Sequence, residues 1–83
     1  MEYINKKIGT VISLLRKSHG LSQEDLAELA GLHRTYISKV EQGNRNITIN
    51  SLSKISDALQ VPLSQLIREA ELYGKDFKNW FKS

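Results

Sequence analysis

The chain has 83 residues, which is enough for one domain with a modest hydrophobic core. An apolar share of 40% and a charged share of 25% are ordinary for a globular protein, and the absence of Cys excludes disulfide frameworks, thiolate metal sites and cysteine nucleophiles. The net charge of +3 is too small to indicate what kind of partner the protein binds. The positions of the charged residues along the chain are more informative.

Neither a membrane segment nor a secretion signal is recognisable in the sequence. No apolar run approaches the roughly 20 residues that span a bilayer, and the opening MEYINKK lacks the apolar core of a signal peptide. We therefore expect a cytoplasmic protein that makes no membrane contact and forms a single domain over residues 1–83.

The first predicted helix runs from Tyr3 to Ser18, with Gly20 as a left-handed residue near its end. Lys and Arg occupy the faces that its apolar residues leave free, which is typical of an amphipathic helix. The apolar residues of this stripe are Ile4, Ile8, Val11, Ile12 and Leu15.

The second and third predicted helices follow each other closely. Ser22 offers an N-cap oxygen to a helix over 23–30, and Gly31 ends that helix. The third helix covers about 34–42, and Gly43 marks its exit into the polar loop GNRN. Its inward-facing pair is Ile37 and Val40.

Further helices are predicted after this loop, and no strand pattern competes with them. Thr48 or Asn50 can cap the fourth helix, and Pro62 fits just inside the start of the fifth. The sequence thus predicts an all-α fold. The apolar residues that define these helices are Leu52, Ile55 and Leu59 in the fourth, Leu63, Leu66 and Ile67 in the fifth, and Phe77, Trp80 and Phe81 in a short sixth helix after Gly74.

The short link between the second and third helices requires a steep crossing with small residues at the contact. Ala27 and Gly31 meet this requirement, and with Ile37 and Val40 they occupy the fifth, ninth, fifteenth and eighteenth places of a unit that starts at Gln23. This spacing resembles the helix-turn-helix of lambdoid phage repressors and their bacterial relatives, the XRE/Cro type. The resemblance covers Ile8 to Ile67, with the helix-turn-helix at 22–42, and implies a five-helix lambda-repressor-like domain with a short C-terminal helical extension.

Within that family, RTYIS followed by E-x-G-x-R-N-x-T resembles the controller proteins of restriction-modification systems. The resemblance implies binding to double-stranded DNA, with the start of the third helix in the major groove. Arg34 and Thr35 stand at that start, and Lys39 lies one turn further on the same face. These three are predicted to read bases.

Contacts with the DNA backbone are expected on both sides of the third helix. The second helix presents free amides and the positive end of its dipole, and the family uses the matching Gln on a phosphate. For some of these residues a structural role stays open: a cap for Ser22, a half-buried ring for Tyr36 and a simple polar turn for the loop. The residues predicted to contact the backbone are Ser22, Gln23, Tyr36, Asn44, Arg45 and Asn46.

The resemblance also implies an ion pair between Arg16 and Glu41 and a homodimer formed through the fifth helix. We expect the dimerisation region at about 60–83, although the aromatic tail can alternatively cover the core of its own monomer. The residues predicted for the dimer interface are Leu63, Ile67, Phe77, Trp80 and Phe81.

Glu24 and Glu28 are four residues apart on the second helix and form an acidic ridge beside the predicted DNA surface. The family resemblance implies that such a ridge can contact RNA polymerase and activate transcription. The alternative is that acidic residues here only complement the helix dipole.

The sequence offers no arrangement of catalytic or metal-binding residues. His19 and His33 are isolated, and there is no nucleophile elbow or phosphate-binding Gly-rich loop. We expect a transcription regulator that is not an enzyme, binds no metal and needs no cofactor. A phage-type repressor, an antitoxin-type autorepressor and a protein-interaction module without a DNA target stay open as alternatives.

Overall fold

The computed structural model describes residues 2–73, and in this part the chain forms helices and no strand. The all-α, five-helix expectation is therefore confirmed. The predicted sixth helix, with Phe77, Trp80 and Phe81, lies outside the described residues. The five helices are α1 (Glu2–Ser18), α2 (Gln23–Ala30), α3 (Arg34–Glu41), α4 (Ile49–Ala58) and α5 (Leu63–Leu72).

Most helix ends lie where local residues predict them. Ser22 caps α2 through a capping box, in which its Oγ accepts from the Asp25 N–H at 2.9 Å and its own N–H donates to the Asp25 carboxylate at 3.0 Å. Thr48, rather than Asn50, caps α4 by accepting from the Ser51 N–H at 3.1 Å. Each of these caps satisfies an amide that the first helical turn leaves without a partner.

Three helix ends differ from their predicted positions. α1 begins at Glu2, one residue before the predicted Tyr3. Gln42 follows α3 as its C-cap instead of belonging to the helix. Pro62 was expected inside α5, but it is the N-cap residue, with φ −62° and ψ 145°, so that Leu63 is the first helical residue. The pyrrolidine ring fixes only φ, so a proline can be either the N-cap residue or the first residue of a helix. The extended ψ of Pro62 places it before α5.

The link between α2 and α3 turns at Gly31, which adopts φ +71°. The Leu32 N–H donates to the Ala27 carbonyl at 2.9 Å, which closes the end of α2. Only Gly31, Leu32 and His33 separate the two helices. This short turn therefore fixes the orientation of α3 relative to α2.

The hydrophobic core lies between all five helices. α1 packs against α3 and α5, α2 against α3 and α4, and α4 against α5. None of the helices in the described part has the length and apolar character needed to cross a membrane. The largest apolar side chains that are fully buried are Ile12, Leu26, Ile37, Ile55, Leu59 and Leu66.

Candidate nucleic-acid interface

α3 has one buried face and one outward face. Ile37 and Val40 are only 0% and 2% exposed, and they attach the helix to the core. Arg34, Thr35 and Lys39, the predicted base-reading residues, are all exposed. Because Arg34 and Lys39 are cations and Thr35 is neutral, this part of the helix presents a positive, hydrogen-bonding surface.

Two further residues of the outward face were not predicted as part of the site. Ser38 and Gln42 follow Thr35 by three and seven residues, so they share its side of α3. The Gln42 side-chain amide donates to the Ser38 hydroxyl at 3.3 Å. The helical spacing counted from Thr35 is the sequence signal that identifies them.

The far end of α3 is held by an ion pair between Arg16 of α1 and Glu41. The Arg16 Nε and Nη2 atoms lie 2.7 Å and 3.1 Å from the two carboxylate oxygens of Glu41, and the two side chains are only 10% and 6% exposed. The hydrogen bond to Glu41 raises the pKa of Arg16 above its ordinary value, although burial opposes this. Arg16 also donates to the Leu21 carbonyl at 2.8 Å, so it joins α1, the following turn and α3.

The start of α2 is tied to the same ion pair. Gln23 is partly buried, and its Nε2 atom donates to Oε1 of Glu41 at 3.0 Å. Ser22 is exposed but its side chain is engaged in the capping box. Hydrogen bonds from Ser22 lower the pKa of Asp25 below its usual value.

The loop after α3 is also positioned by side-chain contacts. Asn44 donates to Gln42 at 3.0 Å, and the Asn46 side-chain oxygen accepts from the Asn5 amide of α1 at 2.7 Å. The guanidinium carbon of Arg45 lies 5.6 Å from the centre of the Tyr36 ring, a distance typical of a cation–π contact. The loop cation is thus brought beside the start of α3. Asn5 was not predicted, because nothing in its local sequence indicates a partner 41 positions away.

The remaining predicted residues lie on α2, on α5 or outside the described part. Glu24 and Glu28 are both exposed on α2. Leu63 and Ile67 of α5 are partly buried against the core, so part of each side chain faces outward. The predicted interface residues Phe77, Trp80 and Phe81 lie outside the described residues.

Comparison with known proteins identifies the family. The family model described as Helix-turn-helix matches residues 12–66. The control protein C.MunI of Mycoplasma sp is 40% identical over 72 residues, which cover 86% of this chain and 97% of that protein. The control protein C.SmaI of Serratia marcescens is 46% identical over 52 residues, and the match covers 63% of this chain but only 62% of C.SmaI.

A solved structure agrees with these relatives. The restriction-modification controller protein C.AhdI from Aeromonas hydrophila superposes with a TM-score of 0.73 and 40% sequence identity, over 75% of this chain and 94% of that chain. The chain therefore belongs to the helix-turn-helix family of DNA-binding transcription regulators, and the predicted resemblance to restriction-modification controllers is confirmed.

Proposed function

We propose that this protein is the controller of a restriction-modification system, which binds a symmetric DNA operator as a homodimer and both activates and represses transcription. The observation that carries the proposal is the outward face of α3, where Arg34, Thr35 and Lys39 are exposed on a helix whose other side is buried. The similarity of this chain to control proteins of restriction-modification systems supports the choice of this class of regulator.

The base-reading step is proposed for the first turn and a half of α3. Arg34 can donate two parallel hydrogen bonds to O6 and N7 of guanine, and the Thr35 methyl group can pack against the C5 methyl of thymine. Lys39 adds a base or phosphate contact one turn further along. Each good bidentate contact discriminates against a wrong base by about 1 to 3 kcal/mol, so one monomer has too few contacts for strong selectivity.

The backbone contacts are proposed on both sides of that helix. Ser22 and Gln23 face one DNA strand at the start of α2, where free amides favour a phosphate. The loop residues Asn44, Arg45 and Asn46 contact the strand on the other side of the groove. Their contacts hold the register of α3 without reading the sequence. Tyr36, which packs against Arg45, joins this group.

A homodimer doubles the number of base contacts. Two-fold symmetry then places the two α3 helices on half-sites about 34 Å apart, which is one turn of DNA. The proposed interface lies within 60–83 and includes the outward parts of Leu63 and Ile67, together with the tail residues Phe77, Trp80 and Phe81. Glu24 and Glu28 are proposed to contact RNA polymerase when the dimer is bound upstream of a promoter.

Selection of bound sites from random duplex DNA, followed by gel shifts in moderate salt, tests the proposal. We expect enrichment of an inverted repeat whose binding persists at salt concentrations that abolish binding to unrelated DNA, because specific contacts depend less on salt than general electrostatic attraction does. Failure to enrich any sequence would contradict DNA recognition and favour a protein-interaction module. A reporter that is only ever repressed would favour the phage-type repressor or the antitoxin-type autorepressor.

A further inference from the structure

The Glu41 carboxylate serves three donors although it is almost completely buried. Its Oε2 accepts from Nε of Arg16, and its Oε1 accepts from both Arg16 Nη2 at 3.1 Å and Gln23 Nε2 at 3.0 Å. Only 6% of the Glu41 side chain is exposed. The same carboxylate therefore fixes the end of α3 and the side chain at the start of α2.

This contact determines which way the Gln23 amide faces. A carboxylate only accepts hydrogen bonds, so the amide nitrogen, and not the carbonyl oxygen, has to face Glu41. The nitrogen carries two N–H groups, and the hydrogen bond to Glu41 occupies one of them. The second N–H is held in a fixed direction and can donate to another acceptor.

The backbone around Gln23 adds donors at the same place. Within the described part of the chain, the Asp25 N–H is taken by the Ser22 side chain and the Leu26 N–H by the Ser22 carbonyl. The N–H groups of Gln23 and Glu24 have no protein acceptor among these residues. The start of α2 thus combines a held side-chain N–H with two free backbone N–H groups, which suits a phosphate oxygen.

We propose that Glu41 is a positioning residue, which orients the Gln23 side-chain amide for contact with one phosphate of the DNA backbone. This inference rests on the proposed DNA binding and deepens it. Because Glu41 ends α3, the phosphate contact and the recognition helix are set by one carboxylate. A Gln23 side chain without this acceptor turns freely about its side-chain bonds, and its carbonyl oxygen then faces the phosphate in part of its conformations.

A double-mutant cycle on DNA binding tests the proposal. Gln23→Met removes both side-chain N–H groups at similar volume, and Arg16→Met/Glu41→Leu removes the carboxylate together with its partner, because removing one of them alone leaves a buried charge unpaired. In the parent background we expect Gln23→Met to weaken binding to all duplexes about tenfold, as for one hydrogen bond to a charged group. In the paired background the same change should weaken binding less than about twofold, since the amide there is no longer oriented.

The salt dependence separates this contact from a cationic one. Gln23→Met should leave the slope of log affinity against log salt unchanged, because a neutral amide releases no counterion, whereas Arg45→Gln should reduce that slope by about 1. Thermal unfolding and sedimentation of each variant establish that the fold and the assembly are retained.

NMR of the free parent protein gives a measurement that needs no variant. One of the two Nε2 protons of Gln23 should exchange slowly with water, and the other should shift when operator DNA is added. Two equally fast-exchanging protons, or an equal loss of affinity for Gln23→Met in both backgrounds, would overturn the role of Glu41 while leaving DNA binding intact. A parent protein that binds no duplex at any salt concentration would contradict the proposed function and this inference together.

Discussion

Gly9 of α1 lies against the carbonyl oxygen of Val40 at the end of α3, and a Cβ added to Gly9 would overlap that oxygen and lie 2.9 Å from the carbonyl oxygen of Glu41. In an open helix, Ala is better than Gly by about 1 kcal/mol. Here the added methyl meets backbone atoms that cannot rotate away, and overpacking of this kind costs about 1 to 3 kcal/mol. We expect the second effect to prevail in Gly9→Ala.

The expected result for Gly9→Ala is a lower Tm, by about 4 to 8 °C for each kcal/mol lost, together with weaker operator binding because α3 is displaced. Gly20→Ala is the matched control. Gly20 has φ +71° but nothing within 4 Å of an added Cβ, so it should lose stability through backbone strain alone and keep its DNA affinity. Calorimetry and gel shifts on both variants check this, and a Gly9→Ala protein as stable as the parent would contradict the close packing.

Ser22 and Gly9 differ in how far the sequence alone predicts their contacts. The cap at Ser22 depends on residues within three positions of it, so the start of α2 is readable from the chain itself. The contact of Gly9 with Val40 depends on where two distant helices cross. The sequence around Gly9 shows only a glycine inside a helix.

In the candidate site too, some features follow from the local sequence and others depend on the tertiary structure. Exposure of Arg34, Thr35 and Lys39 follows from helical spacing and was predicted. The hydrogen bond between Gln23 and Glu41 depends on how α2 and α3 pack, and the sequence pattern around either residue does not indicate it. The pairing of Arg16 with Glu41 was predicted from the family resemblance, because the local sequence patterns do not indicate it.

Arg34 and Arg45 are expected to contribute to DNA binding in different ways. Arg34→Ala should relax the preference at one base pair in each half-site and weaken specific binding by about 1 to 3 kcal/mol. Arg45→Ala should weaken binding to every sequence about equally, because a phosphate contact carries no sequence information. Selection of bound sites with each variant distinguishes the two, and unchanged selectivity in Arg34→Ala would defeat its assignment as a base-reading residue.

Asp25 should make stability depend on acidic pH. Its hydrogen bonds with Ser22 lower its pKa in the folded state from the ordinary 3.8. A lowered folded pKa means that the charged form contributes stability at neutral pH, and that this contribution is lost as the pH falls through 3.8 and then through the lower folded value. Thermal unfolding of Asp25→Asn, compared with the parent, should show a deficit at pH 7 that disappears towards strongly acidic pH. A deficit that is independent of pH would exclude the carboxylate charge as its cause.

The proposed dimer interface is tested at Ile67 and in the tail. Ile67→Glu places a charge on the outward part of α5, and we expect a monomer at micromolar concentration by sedimentation, with helical content unchanged. Leu14→Glu is the control, because Leu14 is 52% exposed on α1, outside the proposed interface. Deletion of residues 75–83 shows whether the tail takes part. A truncated protein that stays dimeric would remove the tail from the interface, and dimeric Ile67→Glu would remove α5.

Glu24 and Glu28 are expected to take part in the activation of transcription. Both carboxylates are exposed on α2, in a domain whose proposed DNA-facing side carries the cations of Arg34 and Lys39. Glu24 lies in the first turn of the helix, where a negative charge complements the dipole by about 0.3 to 1 kcal/mol, but Glu28 lies beyond that turn and gains little there. Contact with a protein surface is a separate reason for an acidic ridge at this position.

Changing Glu24 and Glu28 together to Gln should abolish activation of a reporter while operator affinity stays equal or rises slightly, because two negative charges near the phosphates are removed. Asp57→Asn is the control, since Asp57 is an exposed carboxylate on α4, outside the proposed DNA-binding and dimer surfaces, and its loss should leave activation unchanged. Reporter output has to be compared at equal operator occupancy, measured by footprinting, so that altered DNA binding is not mistaken for altered activation. If the double variant then activates as well as the parent, the two residues only stabilise α2, and RNA polymerase is contacted by another surface or not at all.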